Sequence, residues 1–258
     1  MSGPWGDQFL IDDEPGNPIR LEQIDAKEFV LRSTIEFHGD MGLSRESYPE
    51  ITEEMKAEAR RLDAGGRSDL ASVPQFLRWF ANPYGVYTPA ALIHDDLIVG
   101  GEANAGTLRS DAAADRYFRF LLRAAGVDFF RRWIMWAAVA LRTRWAVGGR
   151  RRAFLIVWIA LSVLGLTAFF SAVGELLFDT GTVLDIDSWP LLIGSAATPF
   201  VAGGLWGKQW GASLVAAVAA PWILPPTLLA AVAYVSYRVL ELGANVAGRS
   251  AAARRPRS

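Results

Sequence analysis

The stretch AFLIVWIALSVLGLTAFFSAVG, residues 153–174, decides the architecture of this protein because its 22 residues include no charged side chain. A helix of about 20 apolar residues spans the roughly 30 Å hydrocarbon core of a bilayer. Two further uncharged runs follow, and the last one contains prolines that predict a kink. The sequence therefore predicts a membrane region over residues 151–240, with helices at about 153–177, 188–207 and 209–238, and a basic tail over residues 241–258.

Charge is divided unevenly along the chain. Residues 1–128 have a net charge of −9 and residues 129–258 a net charge of +8. An acidic first half argues against nucleic-acid binding, because phosphates would be repelled. Arginines precede the first apolar run, and the acidic loop after it has none, so the positive-inside rule predicts that the N-terminal domain, residues 1–150, is cytoplasmic in an integral membrane protein. The basic tail is also predicted to be cytoplasmic. With both ends of the chain in the cytoplasm the number of membrane crossings must be even, whereas the lengths of the apolar runs predict three helices.

Composition excludes several chemistries. The chain has no cysteine, which rules out disulfides, thiolate nucleophiles, cysteine-bound zinc and iron–sulfur clusters. The first 20 residues lack the basic and apolar regions of a signal peptide. Eight of the ten tryptophans lie in the second half, near the ends of the apolar runs, as in an interfacial belt. The partner that this pattern predicts is the lipid bilayer, and Gly203, Gly207 and Gly211 offer a helix contact for a homo-oligomer.

The first half predicts a mainly α domain with a small β element, an α+β class, over residues 21–150 after an irregular arm at residues 1–20. Residues 28–37 (EFVLRSTIEF) alternate in part between apolar and polar and predict a strand. Helices are expected at residues 51–62, near Pro74, from Thr88 to Gly100, from Ser110, and over residues 129–146. Asp69 or Ser72 is a candidate cap for the short helix near Pro74. The last helix is aromatic and basic, suited to the membrane surface.

His94 is the first candidate functional residue. On its helix it shares a face with Ala90 and Leu97, so we expect it to be buried, and a buried imidazole needs hydrogen-bond partners. The adjacent Asp95 and Asp96 point about 100° apart around the helix and therefore serve different surroundings.

Asp115 is the second candidate. Asp111, Asp115, Phe118 and Leu122 form one stripe of the helix that starts at Ser110. Asp111 lies in the first turn, where the helix dipole favours an acid, but Asp115 does not. A buried carboxylate needs a partner, and His94, Arg109 or a metal ion would serve. The arginines at 116, 119 and 123 are predicted to form the solvent face.

These motifs carry a resemblance to a known family. The runs SDLASVPQFLRWF (68–80), YTPAALIHDDLI (87–98) and SDAAADRYF (110–118) resemble the phage- and prophage-associated family called domain of unknown function 1353. The resemblance covers about residues 20–148, with residues 40–66 as an apparent insertion. It implies a fold neighbourhood and a phage or phage-defence context, but it carries no established activity.

A weaker similarity concerns the His-Asp pair. The IHDD sequence, followed by an aspartate on a second helix, resembles the helix pair of secreted phospholipase A2. That similarity implies a hydrolase in which His94 is the general base, Asp115 orients it, and Asp95 with the Asp69 loop binds a divalent metal, calcium being favoured. No organic cofactor is expected. The chain lacks that family's cysteines and has Ile98 where it has tyrosine.

Two other interpretations stay open. AALIHDD is similar to the AALLHD run of HD-type metal phosphohydrolases, with His38, His94, Asp95 and Asp111 or Asp115 as ligands. Alternatively, His94, Asp95 and Asp115 form a structural hydrogen-bonded cluster in a non-catalytic protein that disrupts the membrane or acts as a scaffold. The supporting residues Ser72, Asp96, Arg109 and Asp111 fit any of the three.

Overall fold

A computed structural model describes residues 5, 7–25, 28–68, 85–99, 111–179, 181–182 and 186–253. The protein is mostly helical with small antiparallel sheets, which agrees with the α+β expectation. The helix predicted near Pro74 lies outside the described residues, as do Asp69, Ser72 and Arg109. The chain forms two compact units, one of residues 1–72 and 83–219 and one of residues 73–82 and 220–258.

Among the described residues of the first unit, seven short strands form two antiparallel sheets. The first sheet has the order β2-β1-β5-β6, with strands Glu14–Pro15, Phe9–Ile11, Ile35–Phe37 and Arg61–Leu62. The second has the order β3-β4-β7, with strands Leu21–Gln23, Phe29–Leu31 and Arg67–Ser68.

The strands differ from the sequence expectations in two places. The segment 1–20, expected to be irregular, contains β1 and β2, because Phe9 and Ile11 alternate with Leu10 and are completely buried. The single strand expected over residues 28–37 is two strands, β4 and β5, which belong to different sheets. Arg32 to Thr34 separates them, and the Ser33 hydroxyl accepts a hydrogen bond from the Arg20 backbone at 3.0 Å.

In the described N-terminal part, four helices accompany the sheets, at Glu53–Ala59 (α1), Thr88–Val99 (α2), Asp111–Ala124 (α3) and Phe129–Val147 (α4). The last three match the predicted positions closely. α1 is shorter than expected, since Thr52 caps its start through a hydrogen bond from the Met55 N–H and β6 follows directly. Apolar side chains of the sheets pack on α2 and α3, as in the ring contacts of Phe37 with Phe9 and with Tyr117.

Two long apolar helices and a shorter one follow. α5 runs over Gly149–Phe178, α6 over Ser188–Gly203 and α7 over Trp210–Ala253, with a 3₁₀ helix, Gly204–Gln209, between the last two. Gly207 in that segment has φ +54°, so Gly203, Gly207 and Gly211 do not lie on one continuous helix. Pro221, Pro225 and Pro226 lie inside α7. α5 packs against both α4 and α6 within the first unit.

Among the described residues, two helical segments are long and apolar enough to cross a membrane, Gly149–Phe178 and Pro225–Ala244. The sequence predicted three. α6 is only 16 residues long, which is about 24 Å at 1.5 Å per residue and short of a roughly 30 Å hydrocarbon core. Only 11% of the most apolar window of α5 is buried in the protein.

The tryptophans do not all form a belt. Trp145, Trp189, Trp210 and Trp222 are exposed, as an interfacial position requires. Trp136, Trp158 and Trp206 are buried instead and form a second core with alanines of α4, α6 and α7. This core joins α4 to α5 and to the 3₁₀ segment.

Candidate functional site

The predicted pair His94 and Asp115 does meet. α2 and α3 pack against each other, and the His94 Nε2 atom lies 3.1 Å from Asp115 Oδ1. Both side chains are buried, at 6% and 0% exposure, and the His94 ring stands 4.8 Å from the ring of Phe118. The stripe predicted on α3 therefore faces the core at Asp115, Phe118 and Leu122.

Asp115 has two further donors that the sequence did not indicate. The Thr143 hydroxyl donates to Oδ1 at 3.0 Å, and the Gln209 amide donates to Oδ2 at 2.7 Å. Both donors are buried. Both carboxylate oxygens thus accept hydrogen bonds from side chains, which is how a buried carboxylate without solvent is stabilised.

Gln209 also connects this carboxylate to a buried cation. Its Oε1 accepts a hydrogen bond from Arg144 Nε at 3.0 Å, and the Arg144 guanidinium also donates to the Trp206 carbonyl and lies 4.6 Å from the Trp206 ring. Burial lowers the pKa of Arg144, while Asp115 raises it. Since the amide accepts from the cation and donates to the anion, its orientation is fixed by the two charges.

We call these residues the Asp115 network: His94, Asp115, Thr143, Arg144, Trp206 and Gln209. It connects α2, α3 and α4 to the 3₁₀ segment next to the apolar helices. The sequence did not indicate Thr143, Arg144 and Gln209, because each hydrogen bond that links them into the network joins residues 28 to 94 positions apart along the chain. The one available signal was Gln209, a polar residue at the edge of an apolar run.

Of the other predicted site residues, the described ranges include Asp95, Asp96, Asp111 and His38. Asp95 is 7% exposed and Asp96 is half-buried on α2, and each has contacts of its own. Asp111 begins α3, and its side chain lies outside the described part. His38 is more than half exposed and lies 3.2 Å from Glu36. In the described ranges no three histidine or acidic side chains form a group that would hold a metal ion.

The predicted solvent face of α3 is wrong at two positions. Only Arg123 is exposed; Arg116 and Arg119 are half-buried and line a cavity with Trp133 and Trp136 of α4. The Arg119 guanidinium carbon lies 4.3 Å and 4.4 Å from the two indole rings. Cation–π contacts with a neighbouring helix are invisible in the periodicity of α3 alone.

Comparison with known families places the motif-bearing segment. Residues 49–139 match the family described as "Protein of unknown function (DUF1353)". The family resemblance is confirmed. No curated protein and no solved structure matches the chain. The DUF1353 match is narrower than the expected residues 20–148, and it includes part of the segment taken for an insertion.

The DUF1353 match divides the Asp115 network. His94 and Asp115 lie inside the matched residues, whereas Thr143, Arg144 and Gln209 lie outside them. The polar contacts of Asp115 therefore join the DUF1353 segment to the part of this chain that the family model does not cover.

Proposed function

We propose that this protein is a membrane-anchored scaffold module in which the His94–Asp115 pair is structural. The observation that carries the proposal is that Asp115 is completely buried with both oxygens occupied by three side-chain donors. A base that activates water needs access to water, and the His94 ring is 6% exposed between Asp115 and Phe118. Such a network fixes one arrangement of helices.

The membrane part of the proposal rests on exposed apolar surface. Residues such as Leu164, Phe170 and Leu177 on α5 are more than half exposed. The core helix of a soluble protein would bury most of this surface, whereas a lipid-facing helix exposes it to hydrocarbon. Two crossings, by α5 and by Pro225–Ala244, also satisfy the even number that the basic tail requires.

The joint between the two parts supports a scaffold role. Asp115 and Arg144 are opposite charges buried near each other and bridged by Gln209. Buried charges stabilise little by themselves, but an unpaired one is costly, so they select the arrangement that pairs them. The soluble domain would then be held at a fixed position above the apolar helices.

The second candidate is a hydrolase, and the His94–Asp115 distance favours it. A histidine oriented by a carboxylate at 3.1 Å is the arrangement of a general base. In the phospholipase-like form, Asp95 with the Asp69 loop would bind calcium and a lipid ester would be the substrate. The HD-type phosphohydrolase has less support, because His38 and His94 share no polar contact in the described ranges.

Replacing His94 separates these candidates. We expect His94→Ala to reduce the free energy of unfolding by about 1.5–3 kcal/mol, since Asp115 loses a donor and Phe118 a ring contact. We expect no fatty-acid release from mixed phospholipid vesicles with calcium or manganese, with or without the substitution. Thermal unfolding in mild detergent measures the change in stability, and mass spectrometry of the products measures fatty-acid release.

His38→Ala is the matched control, because His38 is exposed and should change neither quantity. His94→Gln is the second variant; its amide can still donate to Asp115 and should recover part of the stability. Release by the parent protein that His94→Ala and His94→Gln both abolish would establish the hydrolase instead.

Topology is tested by single cysteines, which the cysteine-free chain allows without background. Glu46 is exposed in the soluble domain, and Asp187 is exposed before α6 without capping it. We expect a membrane-impermeant maleimide to label Asp187→Cys in intact cells and Glu46→Cys only after lysis, because α5 lies between them and crosses the membrane.

The labelling has two informative controls. Permeant maleimide should label both variants in intact cells, which shows that both thiols are reactive. Equal labelling of the two positions by the impermeant reagent, before and after lysis, would contradict the crossing by α5 and with it the membrane anchor.

A further inference from the structure

A basic and aromatic cavity of about 300 Å³ opens where α3, α4 and the start of α7 meet. Nothing in the Asp115 network uses it. Its polar walls are Arg116, Arg119 and Lys208, and its aromatic walls are Trp133, Trp136 and Trp210. The volume lies at the lower end of the range of about 300–1,000 Å³ for small-ligand pockets.

No carboxylate is among the described residues that line the cavity. Among the described residues, no carboxylate forms an ion pair with Arg116, Arg119 or Lys208. The Nε atom of Arg116 is buried, and it has no hydrogen-bond partner among the described residues. Burial, and to a smaller extent the neighbouring Arg116, lowers the pKa of Arg119, so keeping its charge in this cavity has a free-energy cost. A bound anion would remove that cost.

Aromatic rings lie against all three cations. Arg119 lies over Trp133 and Trp136, and the ring of Tyr48 lies 5.9 Å from the Arg116 guanidinium carbon and 4.8 Å from Lys208 Nζ. Lys208 also donates to the Ser47 carbonyl. In the described ranges no acceptor takes a hydrogen bond from Arg119, so its planar N–H groups are available.

The apolar walls indicate which anion fits. Leu214 and Val215 of α7 line the cavity beside the cations, and Trp210 at its edge is 59% exposed. Arginines bind both carboxylates and phosphates through paired N–H donors, and a phosphate has the greater charge and the additional oxygens to match three cations. A phosphate with an apolar substituent would match both kinds of wall.

We infer that this cavity is a binding site for a phosphate group, with Arg116, Arg119 and Lys208 as its donors. The phosphate comes either from the headgroup of an anionic lipid or from a soluble phosphate compound. This inference goes beyond the scaffold proposal and does not depend on it, because binding of inorganic phosphate requires no membrane.

Calorimetric titration of the full-length protein in neutral detergent tests the site. The probes are dihexanoyl phosphatidic acid, dihexanoyl phosphatidylcholine and inorganic phosphate. We expect phosphatidic acid to bind about tenfold more tightly than phosphatidylcholine and Arg119→Gln to weaken it about tenfold, since a hydrogen bond between charged groups is lost. Phosphatidic acid binding above inorganic phosphate identifies the lipid source; equal affinity identifies soluble phosphate.

Arg123→Gln is the matched control, because Arg123 is on the same helix, exposed and outside the cavity. Lys208→Gln is the second variant, since exposed Lys208 can be replaced without disturbing the core. Equal affinities for phosphatidic acid and phosphatidylcholine, or equal affinities in Arg119→Gln, Lys208→Gln and Arg123→Gln, would overturn the site. Failure of the maleimide topology alone would remove the membrane anchor and leave this result standing.

Discussion

Asp115→Asn is expected to destabilise the protein by about 2–4 kcal/mol, although it changes one atom and keeps the shape of the side chain. The new amide would turn its oxygen toward His94 and Thr143, and its NH₂ would then meet the NH₂ of Gln209. Gln209 can rotate its amide only by withdrawing the oxygen that Arg144 uses. One buried donor is left unpaired in either arrangement, and a buried charge loses its counter-charge.

Chemical denaturation in mild detergent measures this effect. Asp128→Asn is the matched control, since Asp128 is exposed before α4 and its side chain makes no capping hydrogen bond. We expect that variant to differ from the parent by less than about 0.5 kcal/mol. A stability of Asp115→Asn equal to that of Asp128→Asn would show that the Asp115 network does not hold the helices together.

Trp206→Ala is expected to have the largest effect, about 3–5 kcal/mol, as for other buried tryptophans. Trp206 is 2% exposed, packs edge to face on Trp158 at 5.1 Å, and underlies the Arg144 guanidinium. Alanine would leave a cavity between α5 and the 3₁₀ segment. It would also remove the aromatic ring that lies against the buried Arg144 guanidinium.

Trp189→Ala is the control for this prediction, because Trp189 is 64% exposed on α6. Trp206→Phe is the intermediate case, since a smaller ring still contacts Trp158. Unfolding free energies should fall in the order Trp189→Ala, Trp206→Phe, Trp206→Ala. Equal values for the two alanine variants would mean that the second core contributes nothing to stability.

The site was partly predictable because two of its members carry local signals. His94 lies on the apolar face of α2, and Asp115 interrupts an apolar stripe, so each was expected to be buried and to need a partner. Thr143 carries no such signal, and the place of Gln209 at the edge of an apolar run does not indicate its partner, since hydroxyl and amide side chains are common on exposed helix surfaces. Their role depends on helix packing that no local pattern encodes.

The positions of α2, α3, α4 and α5 were determined by the sequence alone, because glycines, helix-end residues and period-3.6 patterns act within a few residues. Thr88, the start of α3 and the uncharged run of α5 are examples. Tertiary structure alone decided which charges pair. Asp115 reaches Gln209 across 94 residues, and Arg119 turns from an expected solvent position to two indoles of α4. Burial energy depends on neighbours brought together by folding, and those neighbours are distant along the chain.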